Sequence, residues 1–164
     1  MAGFHTKTFT KHDDYMTPKH AWEDIQHLIP SDKVIWECFY GDGTSGKNLT
    51  DLGFNVIHED VDFFENNLGD VLVSNPPFSE SKKVFKRLAE LDKPFIMILP
   101  ASKICTSYVR DFKNKKLQII IPRKRIHFHK MVDGKIVEGK SSCNFDCFYY
   151  CYKMGYESDI VWLE

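Results

Sequence analysis

The chain of 164 residues holds 43% hydrophobic and 27% charged side chains, enough for one sizeable core and too few for two. Its longest apolar runs, such as Phe95 to Leu99, are strand-sized, which excludes a hydropathic membrane span. The polar start, with Lys7, Lys11, Asp13 and Asp14, excludes a secretory leader, so an intracellular location is expected. The net charge of −1 hides an asymmetry: residues 1–92 carry 9 basic and 16 acidic side chains, and the remainder carries 13 and 7.

In chain order, residues 1–13 read as a polar arm. Thr17 is a suitable cap and Pro18 a suitable first residue for a helix running to about residue 29, with Trp22, Ile25 and Leu28 or Ile29 on one face. Strand 34–36 leads through a glycine-rich turn to a short helix, 45–52, and strand 54–57 follows. Strand 70–74 ends at Asn75-Pro76-Pro77-Phe78. Helical spacing of Val84, Phe85, Leu88 and Leu91 marks a helix over 79–91 capped by Ser79. Strand 95–99, a helix over 102–112 and strand 117–121 come next. Asp133-Gly134 then forms a hairpin turn between 126–128 and 135–137. An aromatic strand over 143–152 closes the sheet. This alternation defines an α/β fold: a mostly parallel sheet, helices on both faces, and a late hairpin adding antiparallel strands at one end.

Five cysteines make an odd count, which argues against a disulfide framework. Cys143, Cys147 and Cys151 would share one face of the last strand but lie too far apart to grip one ion, so no metal is expected. The spacing of Arg123, Lys124, Arg125, His127 and Lys130 makes a candidate phosphate-facing edge, although such runs are also ordinary solvated surface.

In open α/β sheets ligands bind beyond the carboxyl ends of the strands, and three segments fall there. Gly41, Gly43 and Gly46 fit a dinucleotide-type glycine turn between a strand and a helix, which serves NAD and S-adenosylmethionine (SAM) equally. Glu59 or Asp60, after the next strand, can accept hydrogen bonds from a ribose. Two features favour SAM. Glu37 lies where a carboxylate suits the ammonium of a methionine moiety and would repel a pyrophosphate. Asp62 and Phe63 offer an acceptor for an adenine amino group and an aromatic ring beside it.

Asn75-Pro76-Pro77-Phe78 carries the sharpest signal. An amino nitrogen conjugated to a purine ring is a poor nucleophile because its lone pair is delocalised. The Asn75 side-chain oxygen and the Pro76 carbonyl can each accept one of its N–H bonds, drawing it toward tetrahedral geometry and opposing the developing positive charge. Pro76 and Pro77 hold the backbone rigid, and Phe78 can stack on the base.

This tetrapeptide after a hydrophobic strand resembles the signature of amino-group methyltransferases, which act on adenine N6, cytosine N4 or glutamine amides. Glu37-Cys-Phe-Tyr-Gly-Asp-Gly43 is similar to their SAM-binding loop, usually Asp-Pro-Phe-x-Gly-x-Gly, and the match adds Phe39 to the cofactor residues. Asp14-Tyr-Met-Thr-Pro18 resembles the amino-terminal SAM motif of small phage-type DNA adenine methyltransferases. That likeness implies cofactor roles for Tyr15, Thr17 and Pro18, the Thr-Pro pair helping to hold the methionine carboxylate at a helix start. The segments around Arg123 to Phe128 and Asn144 to Asp146 resemble the carboxyl-terminal part of those enzymes.

The resemblance implies a class I, Rossmann-like methyltransferase over 1–164 with no separate target-recognition domain. It would use SAM, release S-adenosylhomocysteine and need no metal. Its expected target is adenine N6 in DNA, with RNA adenine or protein glutamine as alternatives. A non-catalytic nucleic-acid-binding subunit on the same fold is a further alternative. Oligomeric state is not readable from the sequence.

Overall fold

The structure, a computed structural model, describes residues 15–132, 135–137 and 146–164. Seven strands form one sheet: β2 (Val34–Trp36), β3 (Asn55–Ile57), β4 (Val71–Ser74), β5 (Phe95–Pro100), β6 (Leu117–Ile121), β9 (Cys147–Tyr152) and β10 (Ile160–Trp162). Their spatial order is β10-β6-β9-β5-β4-β2-β3. All neighbouring pairs are parallel except those made by β9, which runs antiparallel between β5 and β6. The order reverses at β2, whose neighbours are β3 on one side and β4 on the other. That reversal is the switch point at which a Rossmann-like sheet opens a crevice beyond its strand ends.

Burial explains the placement. Every residue of β4 and β5 is buried, as continuous apolar runs in central strands require. Side chains alternate across β9. On one face the Tyr149 hydroxyl donates to the Ala21 carbonyl at 2.6 Å, which fixes helix α1 (Lys19–Glu23) there. On the other, the Tyr150 ring meets Phe85 of helix α3 (Ser81–Leu91) edge-on at 5.5 Å. Helix α2 (Thr44–Asp51) joins α1 through a hydrogen bond from Trp22 Nε1 to Ser45 Oγ at 3.3 Å. Helices therefore cover both faces, as expected.

Several local expectations need correction. The helix anticipated over 17–29 is only α1 followed by a 3-10 turn, Gln26–Leu28. Tertiary partners decide this, since the Ala21 and Leu28 carbonyls accept from the Tyr149 and Tyr156 hydroxyls. Residues 102–112 form two 3-10 segments, Ala101–Cys105 and Ser107–Phe112, with Thr106 capping the second. Helix α3 begins at Ser81 rather than at a Ser79 cap, and the Ser81 hydroxyl donates to the Phe78 carbonyl at 2.7 Å.

The antiparallel content is also distributed differently. Strands β7 (His129–Val132) and β8 (Lys135–Val137) form a hairpin, but its first strand lies at 129–132 rather than at the expected 126–128, and residues 133–134, where the turn was expected, lie outside the described residues. The hairpin pairs with β1 (Tyr15–Met16) in a separate three-stranded sheet. Strand β10 was not anticipated. It is held by Gln118, whose amide donates to the Tyr156 and Ser158 carbonyls and accepts from the Tyr156 N–H. Among the described residues no helix is long and apolar enough to cross a membrane.

Gly46 sets how closely α2 lies on the end of β3. A Cβ there would come within 2.3 Å of His58 Cβ. Alanine normally favours a helix by about 1 kcal/mol over glycine, but this contact involves the root of a side chain and overpacking costs about 1–3 kcal/mol. Gly46→Ala is therefore expected to destabilise the fold, net, by up to about 2 kcal/mol in urea unfolding. A neutral or stabilising effect would show that α2 can shift freely on His58.

Candidate active site at the carboxyl edge of the sheet

The carboxyl ends of β2 and β4 lie side by side, because the two strands pair in parallel with Trp36 opposite Leu72. Glu37 follows β2 directly, and Ser74 is the last residue of β4. The Ser74 hydroxyl donates to Glu37 Oε1, which also accepts from the Phe39 N–H at 3.4 Å. Glu37 is 1% exposed, and its second oxygen, Oε2, is buried with no hydrogen-bond partner among the described residues. Removal from water pushes its carboxyl from 4.5 up to about 8, partly opposed by the Ser74 bond. The same burial, with Glu37 beside it, raises the Cys38 thiol well above its ordinary value.

The loop that follows needs its glycines. Gly41 and Gly43 have φ of +61° and +86°, left-handed values that a side chain resists. A Cβ on Gly43 would also lie 2.8 Å from the Tyr40 hydroxyl oxygen. Asp42 closes the turn by accepting from the Thr44 N–H at 2.9 Å, where α2 starts. Tyr40 in turn stacks on His58 at the end of β3, with ring centroids 6.4 Å apart.

The other cofactor candidates divide into buried and exposed groups. Phe39 and Phe63 pack with ring centroids 4.7 Å apart, and Phe63 also meets Trp36 at 5.8 Å. At 1% exposure Phe63 belongs to the core that backs the loop. Asp62 is buried and accepts from the Phe64 N–H at 2.9 Å, so part of its acceptor capacity shapes its own turn. Glu59 and Asp60 are both exposed beyond β3, and burial does not choose between them.

Asn75 stands where β4 ends. Its Nδ2 donates to the Thr17 hydroxyl oxygen at 2.8 Å, and its Oδ1 is buried without a partner among the described residues. Pro76 and Pro77 are buried behind it. Phe78 is 8% exposed and lies edge-on to Phe128, centroids 5.9 Å apart, which leaves little ring surface open to a base. Thr17 and Pro18 are buried beside Asn75, and Met16 lies under Gly41, its Sδ 3.4 Å from where a Cβ would stand. Tyr15 belongs to β1, opposite Lys130 of β7.

The basic segment follows β6, on the same edge of the sheet. Arg123, Lys124, Arg125 and His127 are exposed. Arg125 is already engaged, its Nε donating to Asp146 Oδ1 at 2.6 Å and holding that carboxyl below its usual range. Arg123 lines a cavity of about 490 Å³ with Asp24, His27, Trp162 and Glu164, a mixture of both signs. Strands β5, β9 and β6 separate this cavity from Asn75. Cys143 lies outside the described residues, and Cys147 and Cys151 are thiols buried in β9.

Sequence reasoning had not identified Ser74 or the Thr17–Asn75 contact. A polar residue ending the apolar run Val71-Leu-Val-Ser74 was the available signal for the first. Nothing local marks the second.

No protein-family model and no curated sequence matches the chain. Among solved structures it is similar to a tRNA (m1A58) methyltransferase from Aquifex aeolicus, at 13% identity and a TM-score of 0.44, covering 88% of this chain and 72% of that one. It is also similar to a SAM-dependent O-methyltransferase from Thermotoga maritima, at 12% identity and a TM-score of 0.44, covering 86% and 67%.

The Glu37 carboxyl makes a pH-dependent contribution of defined sign. Its folded value is raised above the ordinary one, so its stabilisation is complete below about 4.5 and is lost as pH rises toward about 8. The unfolding free energy of the parent, relative to Glu37→Gln, should fall across that window by something on the order of 3–5 kcal/mol. Parallel stability–pH curves for the two proteins would mean that Glu37 is solvated when no ligand is bound.

Proposed function

We propose that the chain is a SAM-dependent methyltransferase acting on an exocyclic amino nitrogen, with adenine N6 in DNA its leading target. The observation that carries this reading is Asn75. A buried amide oxygen without a donor is uncommon, since such groups nearly always find partners. Here it stands at the end of a buried strand, followed by two prolines, on the edge where a Rossmann-like sheet takes its ligands.

The cofactor fit rests on Glu37 and the glycine loop. The unpartnered Oε2 is a suitable acceptor for an ammonium, and positive charge nearby would favour the ionised carboxylate that burial alone disfavours. A pyrophosphate would meet the opposite, a buried acid with no cation beside it. The left-handed Gly41 and Gly43 leave room for close approach. Glu37, Phe39, Gly41 and Gly43 would hold the methionine part, Asp62 and Phe63 the adenine, and Glu59 or Asp60 the ribose. Bound SAM supplies an electrophilic methyl on a sulfonium.

The chain's own groups act on the nucleophile. Asn75 Oδ1 and the Pro76 carbonyl accept the two N–H bonds of the target amine, releasing its lone pair and opposing the charge that forms. As the new N–C bond forms, the S–C bond of SAM would break and S-adenosylhomocysteine leave, and the proton thereby acidified on nitrogen would pass to water, so no side chain need remove it beforehand. Holding both reactants in line is expected to supply most of the rate, since good orientation saves roughly 7–11 kcal/mol. Arg123 and Lys124, with Lys130 on the hairpin, are the candidate phosphate contacts.

Asn75→Ala should lower single-turnover methylation at saturating SAM by about 10²–10³, with SAM affinity little changed. Labelled methyl groups offered to DNA, RNA and protein, with the product nucleoside identified, separate the three substrate classes. If Asn75→Ala transfers methyl groups at the parent rate, the turn is structural and the assignment is wrong. On the basic segment, Arg123→Ala should flatten the salt dependence of nucleic-acid binding by about one unit of slope. Arg125→Ala should have the smaller effect because Asp146 already neutralises that side chain. Equal slopes for both variants and the parent would remove the segment from the interface.

A further inference from the structure

Glu37 presents a carboxyl whose charge nothing among the described residues offsets. Its backbone N–H donates to the Ile57 carbonyl at 3.0 Å, so the residue is tied to β3 as well as to Ser74 of β4. The side chain is 1% exposed. Its partners, the Ser74 hydroxyl and the Phe39 N–H, are both neutral, and Oε2 has none among the described residues. An ionised carboxylate so placed would be an unpaired buried charge, and groups in that position take up a proton instead.

The ionisable neighbours reinforce this. Asp42 of the glycine loop can only add negative charge, and Cys38 next to Glu37 is itself held as a thiol by burial. From the end of β3, His58 stacks on Tyr40. Lys47 of α2 pairs with Asp51, and Lys93 donates to the Leu68 and Gly69 carbonyls. No cation contributes to the carboxyl's value, which burial lifts to about 8.

An arriving ammonium changes the balance. An ordinary α-amino group titrates at about 7.7–8.0, close to this carboxyl. Once the two meet as an ion pair, they hold one proton between them. In mildly acidic solution the separate partners hold two, so one must leave. In alkaline solution they hold none, so one must be gained.

We infer that SAM loading is proton-linked: Glu37 is neutral in the free chain, and its proton passes to solvent as the methionine ammonium takes a place beside Oε2. This rests on the SAM reading of the glycine loop. It goes beyond that reading by fixing the proton stoichiometry of loading and the pH range in which loading is tightest.

The test is titration calorimetry of SAM into the full chain, in buffers of different ionisation enthalpy, which counts the protons exchanged. At about pH 6 binding should release close to one proton, and at about pH 9 it should take up close to one. Affinity should rise about tenfold for each pH unit up to about 7, pass a maximum near 8 and then fall. S-adenosylhomocysteine, which keeps the ammonium and lacks the sulfonium charge, should exchange protons in the same way. Glu37→Gln should bind more weakly and release no proton at about pH 6. Difference infrared spectra of the parent read the carboxyl directly. SAM should remove a protonated-carboxyl band, absent from free Glu37→Gln, and add a carboxylate band.

SAM binding at about pH 6 without proton release, or with an affinity flat from about pH 5 to 7, would mean that the carboxyl is already ionised. Either result overturns the inference alone, as would undiminished release by Glu37→Gln or release with SAM but not with S-adenosylhomocysteine. SAM that fails to bind at every pH would instead remove the cofactor reading, and this inference with it.

Discussion

The hydrogen bond from Ser74 to Glu37 is the constraint around which the carboxyl edge is organised. It joins the ends of two parallel neighbours at the point where strand order reverses, so the glycine loop and the Asn-Pro-Pro turn start from adjoining positions. Oε1 receives both available donors. Oε2 is left without a partner among the described residues. A buried polar atom in that condition costs about 1–3 kcal/mol. The core tolerates it because β2, β4 and β5 bury so many apolar side chains around it.

Two groups on this edge are left incomplete in complementary ways. Glu37 Oε2 and Asn75 Oδ1 are both acceptors withheld from water, one on each side of the switch point. An edge built this way is matched to ligands that bring N–H donors, and it disfavours anions. The stability lost in holding such groups ready is the usual cost of preorganisation at functional sites.

How much of this was legible depended on how local the determinant was. The strand–helix alternation, the glycine turn and the position of Asn75 at a strand end follow from short stretches of sequence, and each stands where expected. Helix lengths were not readable from pattern alone: the Tyr149 and Tyr156 hydroxyls, 128 residues away in sequence, take the Ala21 carbonyl of α1 and the Leu28 carbonyl of the 3-10 turn after it. Strand β10 has only three residues, and the turn that leads into it is held by the amide of Gln118. The Asp-Gly signal located the hairpin's second strand but neither the bounds of its first nor their partner, since β1 is two residues long and carries no pattern of its own. Within the site, residue types pointed to Glu37 and Asn75. The burial of Phe78 under Phe128 and the engagement of Arg125 by Asp146 arise from packing between distant segments.

The two-residue strand β1 has a consequence for how the molecule is made. Met16 pairs with His129, and α1 just after it is fastened by Tyr149. The segment that steadies Asn75 thus precedes every strand of the main sheet in the chain, yet its own partners come only with β7 and β9. Contacts of such sequence separation are slow to form, because the entropy of closing the loop must be met before they contribute. A nascent chain that has reached only β5 can hold the glycine turn and the Asn-Pro-Pro turn in a partial sheet while Thr17 is still adrift. The crevice becomes competent only after β9 has inserted between β5 and β6, so a truncated or stalled product would carry the recognisable motifs without the geometry that makes them act.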